Sequence, residues 1–210
     1  MQKNFYHNNA SQLASDYQKL AFEDVHASWE PHWPIADDTG KQPRVLDIGA
    51  GSGRDALWFA ENGCEVYAVE PAQALRTIGK QHTQSTEVVW LDDILPELKK
   101  VISLGIRFDY ILLSAVWMHI PRSERNRAFR KLSNLLAPNG KLIITLRHGD
   151  FDDGRVNHGV SAEEIEQLAK ERALHVCLKT ELNKDAMGRN SVQWQTMVLS
   201  KPESISQSIE

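Results

Sequence analysis

Cysteine is scarce in this chain of 210 residues, with only Cys64 and Cys177 present. Two isolated thiols build neither a disulfide framework nor a cysteine-rich zinc site. Each stands in an apolar segment (NGCEVYAV and ALHVCLK), so both are expected to be buried and reduced, as in a cytoplasmic protein. No apolar run approaches the roughly 20 residues needed to cross a bilayer. The opening MQKNFYHNNASQ lacks the apolar core of a secretory signal, so neither a membrane partner nor export is expected. An excess of one charge is missing as well: 24 Lys and Arg face 28 Asp and Glu, a net charge of −4. That balance argues against a dominant nucleic-acid footprint and leaves room for a local basic patch. No repeat of 20–50 residues is visible, which sets solenoids aside. What is there, 41% hydrophobic and 25% charged residues, matches an ordinary soluble domain able to bury a core.

Hydrophobic periodicity divides the chain into three parts. Residues 1–42 carry scattered aromatics, from Tyr6 to Trp33, in one or two helices that Pro31 and Pro34 interrupt before a loop at Asp37-Asp38-Thr39-Gly40. This part is too small for its own core and is read as an appendage or lid. Residues 43–201 alternate strand and helix signals, and 202–210 form a polar, flexible tail. Strand runs are RVLDI (44–48), 65–69, 88–91, FDYILL (108–113) and KLIITL (141–146). A helix over 54–62 ends at Gly63, and another follows Pro71. Pro121 occupies the first position of a third, with Phe129, Leu132 and Leu136 inward, halted at Pro138-Asn139-Gly140. Ser161 and Glu164 form a capping box for a fourth, with Ile165, Leu168 and Ala169 inward. Two closing strands near 174–180 and 192–199 flank a turn-rich segment at 183–190. The alternation implies an α/β fold with a mostly parallel sheet, helices on both faces, and an antiparallel end.

The most informative stretch is VLDIGAGSGRDALWFAENGCEVYAVEP. A strand runs into Gly49-Ala50-Gly51-Ser52-Gly53, and a helix starts at once. Bare backbone there lets a ligand approach closely. The next strand ends at Glu70, a carboxylate placed to accept hydrogen bonds from both ribose hydroxyls at the sheet's carboxyl edge. A nucleoside-containing cofactor follows. The dinucleotide fingerprint G-x-G-x-x-G is not met, because Arg54 stands where its third glycine belongs. Asp47 inside the first strand either holds the loop or reaches the cofactor's amino group.

With these residues in place, the chain resembles the class I S-adenosylmethionine-dependent methyltransferases over about 43–200. VLDIGAGSG resembles that family's first motif, WLDD (90–93) its segment after strand three, FDYILLSAVWMHIP its fourth-strand motif, and LLAPNGKLIIT its turn into strand five. The resemblance implies a Rossmann-like seven-stranded sheet of order 3-2-1-4-5-7-6 with strand seven antiparallel. It also implies S-adenosylmethionine as cofactor and S-adenosylhomocysteine as product. The implied cofactor residues are Asp47, Gly49, Ala50, Gly51, Gly53, Glu70, Pro71 and Ser114, with Asp92 favoured on the adenine amino group and Asp93 as the alternative. Departures narrow the acceptor. Ser114-Ala115-Val116-Trp117 replaces the Asn/Asp-Pro-Pro-Tyr/Phe of amine methylation on bases or glutamine. The Pro-Cys nucleophile of cytosine methylation and the double-Glu loop of arginine methylation are also absent. A small organic metabolite methylated on oxygen or nitrogen is the preferred reading.

Methyl transfer from a sulfonium is an in-line displacement, so the protein's main work is positioning and exclusion of water. A base is needed only when the acceptor carries a proton to lose. His119, shortly after strand four, is a candidate base; the alternative is a helix-entry histidine bonding backbone. Arg147 and His148 follow strand five, the first able to pair with a carboxylate or phosphate and the second a further base. Tyr6, Trp117 and Arg155 are candidate acceptor contacts, with packing as the competing role for each aromatic. Arg122, Arg125, Arg127, Arg130 and Lys131 read as a solvated helix face before a nucleic-acid contact. Asp152 and Asp153 near His148 and His158 have no metal-ligand spacing, so no metal is assigned. Three other readings remain open: a methyltransferase acting on RNA or protein, a non-catalytic binding module, and an NAD-dependent oxidoreductase. Oligomeric state is not assigned.

Overall fold

The computed structural model describes residues 3–34 and 40–203. The loop expected at Asp37–Gly40 therefore lies outside the described residues except for Gly40, as does most of the C-terminal tail. Eight strands form one sheet: β1 (Arg44–Ile48), β2 (Glu65–Val69), β3 (Val89–Leu91), β4 (Phe108–Leu113), β5 (Leu136–His148), β6 (His175–Lys179), β7 (Asn183–Lys184) and β8 (Gln193–Ser200). Their order is β3-β2-β1-β4-β5-β8-β6, with the two-residue β7 paired to β8. Neighbours from β3 to β5 run parallel, whereas β8 is antiparallel to both β5 and β6. The expected order of the long strands is thus present, with β7 as an addition.

The helices are α1 (Lys3–Asn8), α2 (Ala10–Gln18), α3 (Phe22–His26), α4 (Arg54–Glu61), α5 (Gln73–His82), α6 (Lys99–Ser103), α7 (Arg122–Leu135) and α8 (Ala162–Glu171), with 3-10 turns at Ala27–His32 and Trp117–His119. One sheet face presents Leu46, Ile111, Ile144 and Leu199 to Phe129 and Leu132 of α7 and Ile165 of α8. The other presents Val45, Val66, Leu112, Ile143 and Val198 to Phe59 of α4 and to Phe22 and Trp29. Alternate residues of β1 and β4 thus bury opposite faces, as a sheet covered on both sides requires.

The N-terminal helices are welded to this second face. Phe22 stacks on Trp58 with ring centroids 3.8 Å apart. Trp29 is fully buried, and its Nε1 donates to His26 Nδ1 at 3.0 Å. His26 Nε2 must then carry the proton, and it donates to Asp55 Oδ2 at 3.1 Å. Replacing Trp29 by Ala would cost about 3–5 kcal/mol.

Several local expectations are corrected. The N-terminal part forms three α-helices and a 3-10 turn instead of one or two helices, and Pro31 lies inside that turn. Pro121 is the N-cap of α7, so the helix begins at Arg122. Leu136 belongs to β5: α7 ends at Leu135, and a register shift against β4 absorbs Pro138-Asn139-Gly140, with Asn139 left-handed at φ 61°. Cys177 is exposed, because β6 is an edge strand whose residues are mostly uncovered; Cys64 is buried as expected. The capping box is half formed. Ser161 accepts from Glu164 N, but the Glu164 carboxylate pairs with Arg125 at 2.5 Å. Helix α6 had no recognisable signal in the sequence.

Candidate active site

The carboxyl ends of β1, β2 and β4 converge on the loop at 49–53. Gly49 N and Ala50 N both donate to Val69 O, at 2.8 and 3.0 Å, which bends the chain sharply off β1. Gly51 is left-handed at φ 56°, and a Cβ built there would meet nothing nearer than Gly49 O and Tyr17 Cδ2 at 3.9 Å. Its bare backbone therefore faces open space under the Tyr17 ring. Glu70, at the end of β2, accepts from Gly51 N at 3.0 Å and from Ala72 N at 2.7 Å. Burial pushes its carboxyl up to about 6, against the pull of those two amides and of Arg76. Pro71 is buried beside it.

Asp47 is buried within β1, and its Oδ2 has no hydrogen-bond partner among the described residues. Burial and the neighbouring Asp55 raise its carboxyl well above the usual range, while Arg54 opposes this. Arg54, which displaces the dinucleotide glycine, instead clamps Asp55 through Nε at 2.6 Å and Nη2 at 3.0 Å. Beyond β3, Asp92 is exposed and pairs with Arg76 at 3.2 Å. Asp93 is buried and accepts from the backbone amides of Ile94, Lys99, Lys100 and Val101. Asp93 therefore caps α6, and Asp92 keeps its carboxylate at the cleft. Ser114 is half-buried at the end of β4, and the next residue, Ala115, donates its amide to Thr145 Oγ1 at 2.8 Å.

A second cluster stands beside this cradle. Tyr6 Oη and His119 Nε2 are 2.7 Å apart, and Arg155 Nη1 donates to the same hydroxyl at 3.2 Å. His119 lies parallel to Phe151 with centroids 5.3 Å apart. The guanidiniums of Arg147 and Arg155 lie 4.0 and 4.1 Å from the Phe151 ring centre. Burial and the charge of Arg155 push the His119 imidazole down to about 4, so it is neutral and able to accept. Burial and Tyr17 push the Tyr6 phenol up to about 12. His148 stands apart, paired with Gln193 across the β5–β8 ladder, with its Nε2 buried and unpartnered. Trp117 does not join the cluster. It is fully buried against Phe129, with Arg125 over its ring. Most of the basic run on α7 is likewise engaged inside the protein: Arg125 with Glu164, Arg127 with Glu97 and Glu124, and Lys131 with Glu97 O.

Sequence reasoning missed Tyr17, Phe151, Arg189 and the Arg54–Asp55 clamp. Tyr17 sits among other N-terminal aromatics with nothing local to single it out. Arg189 comes from a turn whose fold carries it toward Tyr17 and Arg155.

An open, mostly parallel α/β sheet with an exposed glycine backbone after its first strand and an acid after its second defines a Rossmann-like nucleoside-cofactor domain. The family model described as a methyltransferase domain matches residues 7–184, and the chain belongs to that family. It is 32% identical over 104 residues to an uncharacterized methyltransferase of Staphylococcus carnosus (strain TM300), covering 48% of this chain and 45% of that one. It is 26% identical over 141 residues to another from Alkaliphilus oremlandii (strain OhILAs), covering 67% and 62%. The chain thus spans about half to three fifths of the length of these curated relatives. Among solved structures, it superposes on Burkholderia thailandensis 1,6-didemethyltoxoflavin-N1-methyltransferase, bound to its namesake and S-adenosylhomocysteine. That match has a TM-score of 0.73 and 19% identity, covering 96% of this chain and 87% of the other. The magnesium protoporphyrin IX methyltransferase of Synechocystis PCC 6803 gives 0.67 at 13% identity, covering 95% and 99%. The family's methyl donor is S-adenosylmethionine. The residues fit it: open backbone at Gly51, a buried unpartnered oxygen on Asp47 for an ammonium, and Glu70 at the ribose position.

Proposed function

We propose that this chain transfers a methyl group from S-adenosylmethionine to an oxygen or nitrogen atom of a small organic metabolite. One observation carries the reading. The Tyr17 ring covers Gly51, and Tyr17 and Tyr6 feel both the charge of Glu70 and that of Arg155, so the donor cradle and the second cluster adjoin. The donor supplies an electrophilic methyl on a sulfonium, a leaving group that needs no acid. Glu70 accepts from the ribose hydroxyls, Asp92 from the adenine amino group, and Asp47 pairs with the ammonium. Pro71, Ala50 and Ser114 line the same edge.

Tyr6 and His119 handle the acceptor's proton. As the nucleophile is methylated, its proton passes to Tyr6 Oη, and the Tyr6 proton passes to His119 Nε2, leaving an imidazolium. Arg155 keeps Tyr6 oriented for this exchange. Residues 1–42 act as a lid over the domain at 43–201: α1 and α2 carry Tyr6 and Tyr17 across the cleft, and Gln18 Nε2 reaches Ser52 O at 3.4 Å. Closure excludes water from the reacting atoms. Among the described residues, no helix is long and apolar enough to cross a membrane. That fact and two free thiols support a cytoplasmic setting.

The test is turnover of methyl-labelled S-adenosylmethionine in a pooled metabolite extract. Extract-dependent release of S-adenosylhomocysteine, with one extract component gaining the mass of a methyl group, is expected. Binding of the donor without any release would leave a cofactor-holding module in place of an enzyme.

A further inference from the structure

The charges around Phe151 do not balance. Three guanidiniums gather at the carboxyl edge beyond β5, and two have partners. Asp153 grips Arg155 through Nη2 at 2.6 Å, and Asp185 grips Arg189 through Nη2 at 2.8 Å. Asp185 also accepts from Trp194 Nε1 at 2.8 Å and from the Met187 and Arg189 amides, so its oxygens have no capacity left. Arg147 is different. It is 4% exposed, and among the described residues no carboxylate comes within ion-pairing distance of it, those of Asp150 and Asp152 included. Its Nη1 and Nη2 donate to the carbonyls of Gly149 and Asp150, and its Nε is buried without a partner. An unpaired buried cation is expensive to maintain. His119 Nδ1 and His148 Nε2 are further buried nitrogens without a partner along this edge.

We propose that the acceptor is a small molecule bearing one carboxylate or phosphate, and that Arg147, backed by Arg155, is its counter-ion. This rests on the methyltransferase reading above and adds the acceptor's charge to it. The Phe151 ring, with both guanidiniums against it, is the flat wall on which the acceptor's body lies. A guanidinium presents parallel N–H donors that match either oxyanion. Burial and the like charges of Arg189 and Arg155 lower the affinity of Arg147 for its proton, and an incoming anion relieves that repulsion. The Tyr6–His119 pair lies across the same ring, so an anion held at Arg147 directs the nucleophile toward the proton acceptor.

The test uses the full chain saturated with S-adenosylhomocysteine and two probes, inorganic phosphate and acetate, followed by thermal shift and calorimetry. Wild type is expected to bind at least one of them, the tighter probe naming the acceptor's anionic group, with Arg147→Gln at least tenfold weaker and Arg147→Lys in between. Because Arg147 also braces the loop at 149–150, a second measurement uses wild type alone. The extract is fractionated by anion exchange before the turnover assay, and the methylated product should come from the retained fraction. Equal anion binding by wild type and Arg147→Gln, or an acceptor found only in the unretained fraction, overturns the proposal and leaves the methyltransferase reading standing. Failure to bind S-adenosylhomocysteine removes both.

Discussion

Tyr6 Oη and His119 Nε2 stand 2.7 Å apart although 113 positions separate them in the chain. An imidazole pushed down to about 4 is an acceptor at neutral pH, and a phenol pushed up to about 12 is a donor. The hydrogen bond therefore runs from Tyr6 to His119.

If this pair takes the acceptor's proton, Tyr6→Phe and His119→Gln should each lower the methyl-transfer rate by about 10²–10⁴-fold. Donor affinity should stay close to wild type. The double variant should be little slower than either single one, because the two residues act as one unit. Single-turnover rates with saturating labelled donor and metabolite extract measure this.

His119 also sets an acid limit on folding. Its imidazole is depressed on folding, so its contribution to stability is present above the unfolded value of 6.5 and is lost as pH falls through about 4. The depression corresponds to about 3 kcal/mol. Denaturant midpoints between pH 7 and pH 4 should fall more steeply for wild type than for His119→Gln.

Glu70 runs the other way. Its carboxyl is raised on folding, so its contribution to stability is full below 4.5 and lost as pH rises through about 6. Ribose hydroxyls need the ionised form, so donor affinity should decline as pH drops below about 6. Arg76 and Asp92 face Glu70 with opposing effects on where that decline falls. Glu70→Gln should bind the donor more weakly and with a flatter pH profile, measured by titration calorimetry from pH 5 to 8.

Asp92 and Asp93 should separate cleanly. Asp93→Ala strips the cap from α6 and leaves buried amides unpaired, costing about 2–3 kcal/mol, or about 5–10 °C in melting temperature. Asp92→Ala should leave melting nearly unchanged, because its ion pair with Arg76 is half exposed. It should weaken donor binding by about tenfold.

The glycines of the loop divide in the same manner. Gly49→Ala puts a Cβ 2.5 Å from Val116 Cγ2 at φ 76°, and should destabilise the fold by about 3 kcal/mol or more. Gly51→Ala meets no close atom and should cost only about 1–2 kcal/mol of strain. Its methyl fills the space the donor needs, so donor affinity should fall on the order of tenfold or more.

The donor side was legible because its parts are local. A five-residue strand, a glycine loop and an acid one strand later lie within one βαβ unit, where chain geometry alone brings them together. β1, β2 and β4 begin and end where periodicity put them. The acceptor side was legible only as scattered candidates. Nothing near Arg147 reveals that it alone of three gathered guanidiniums lacks a carboxylate, because Asp153 and Asp185 reach the other two from separate loops. Nothing near Trp117 tells that it turns inward, while Phe151, unremarked in the chain, holds the cluster. Asp92 and Asp93 are neighbours with like chemistry, and only the start of α6 assigns one to backbone amides and frees the other. By itself, then, the sequence determined the layered sheet, the bare loop and its acidic neighbour, since these follow from periodicity, glycine and short connections. The tertiary structure decided burial at the sheet edge, the Tyr6–His119 pairing and the charge balance at Arg147, because those depend on distances between residues that the chain keeps far apart until it folds.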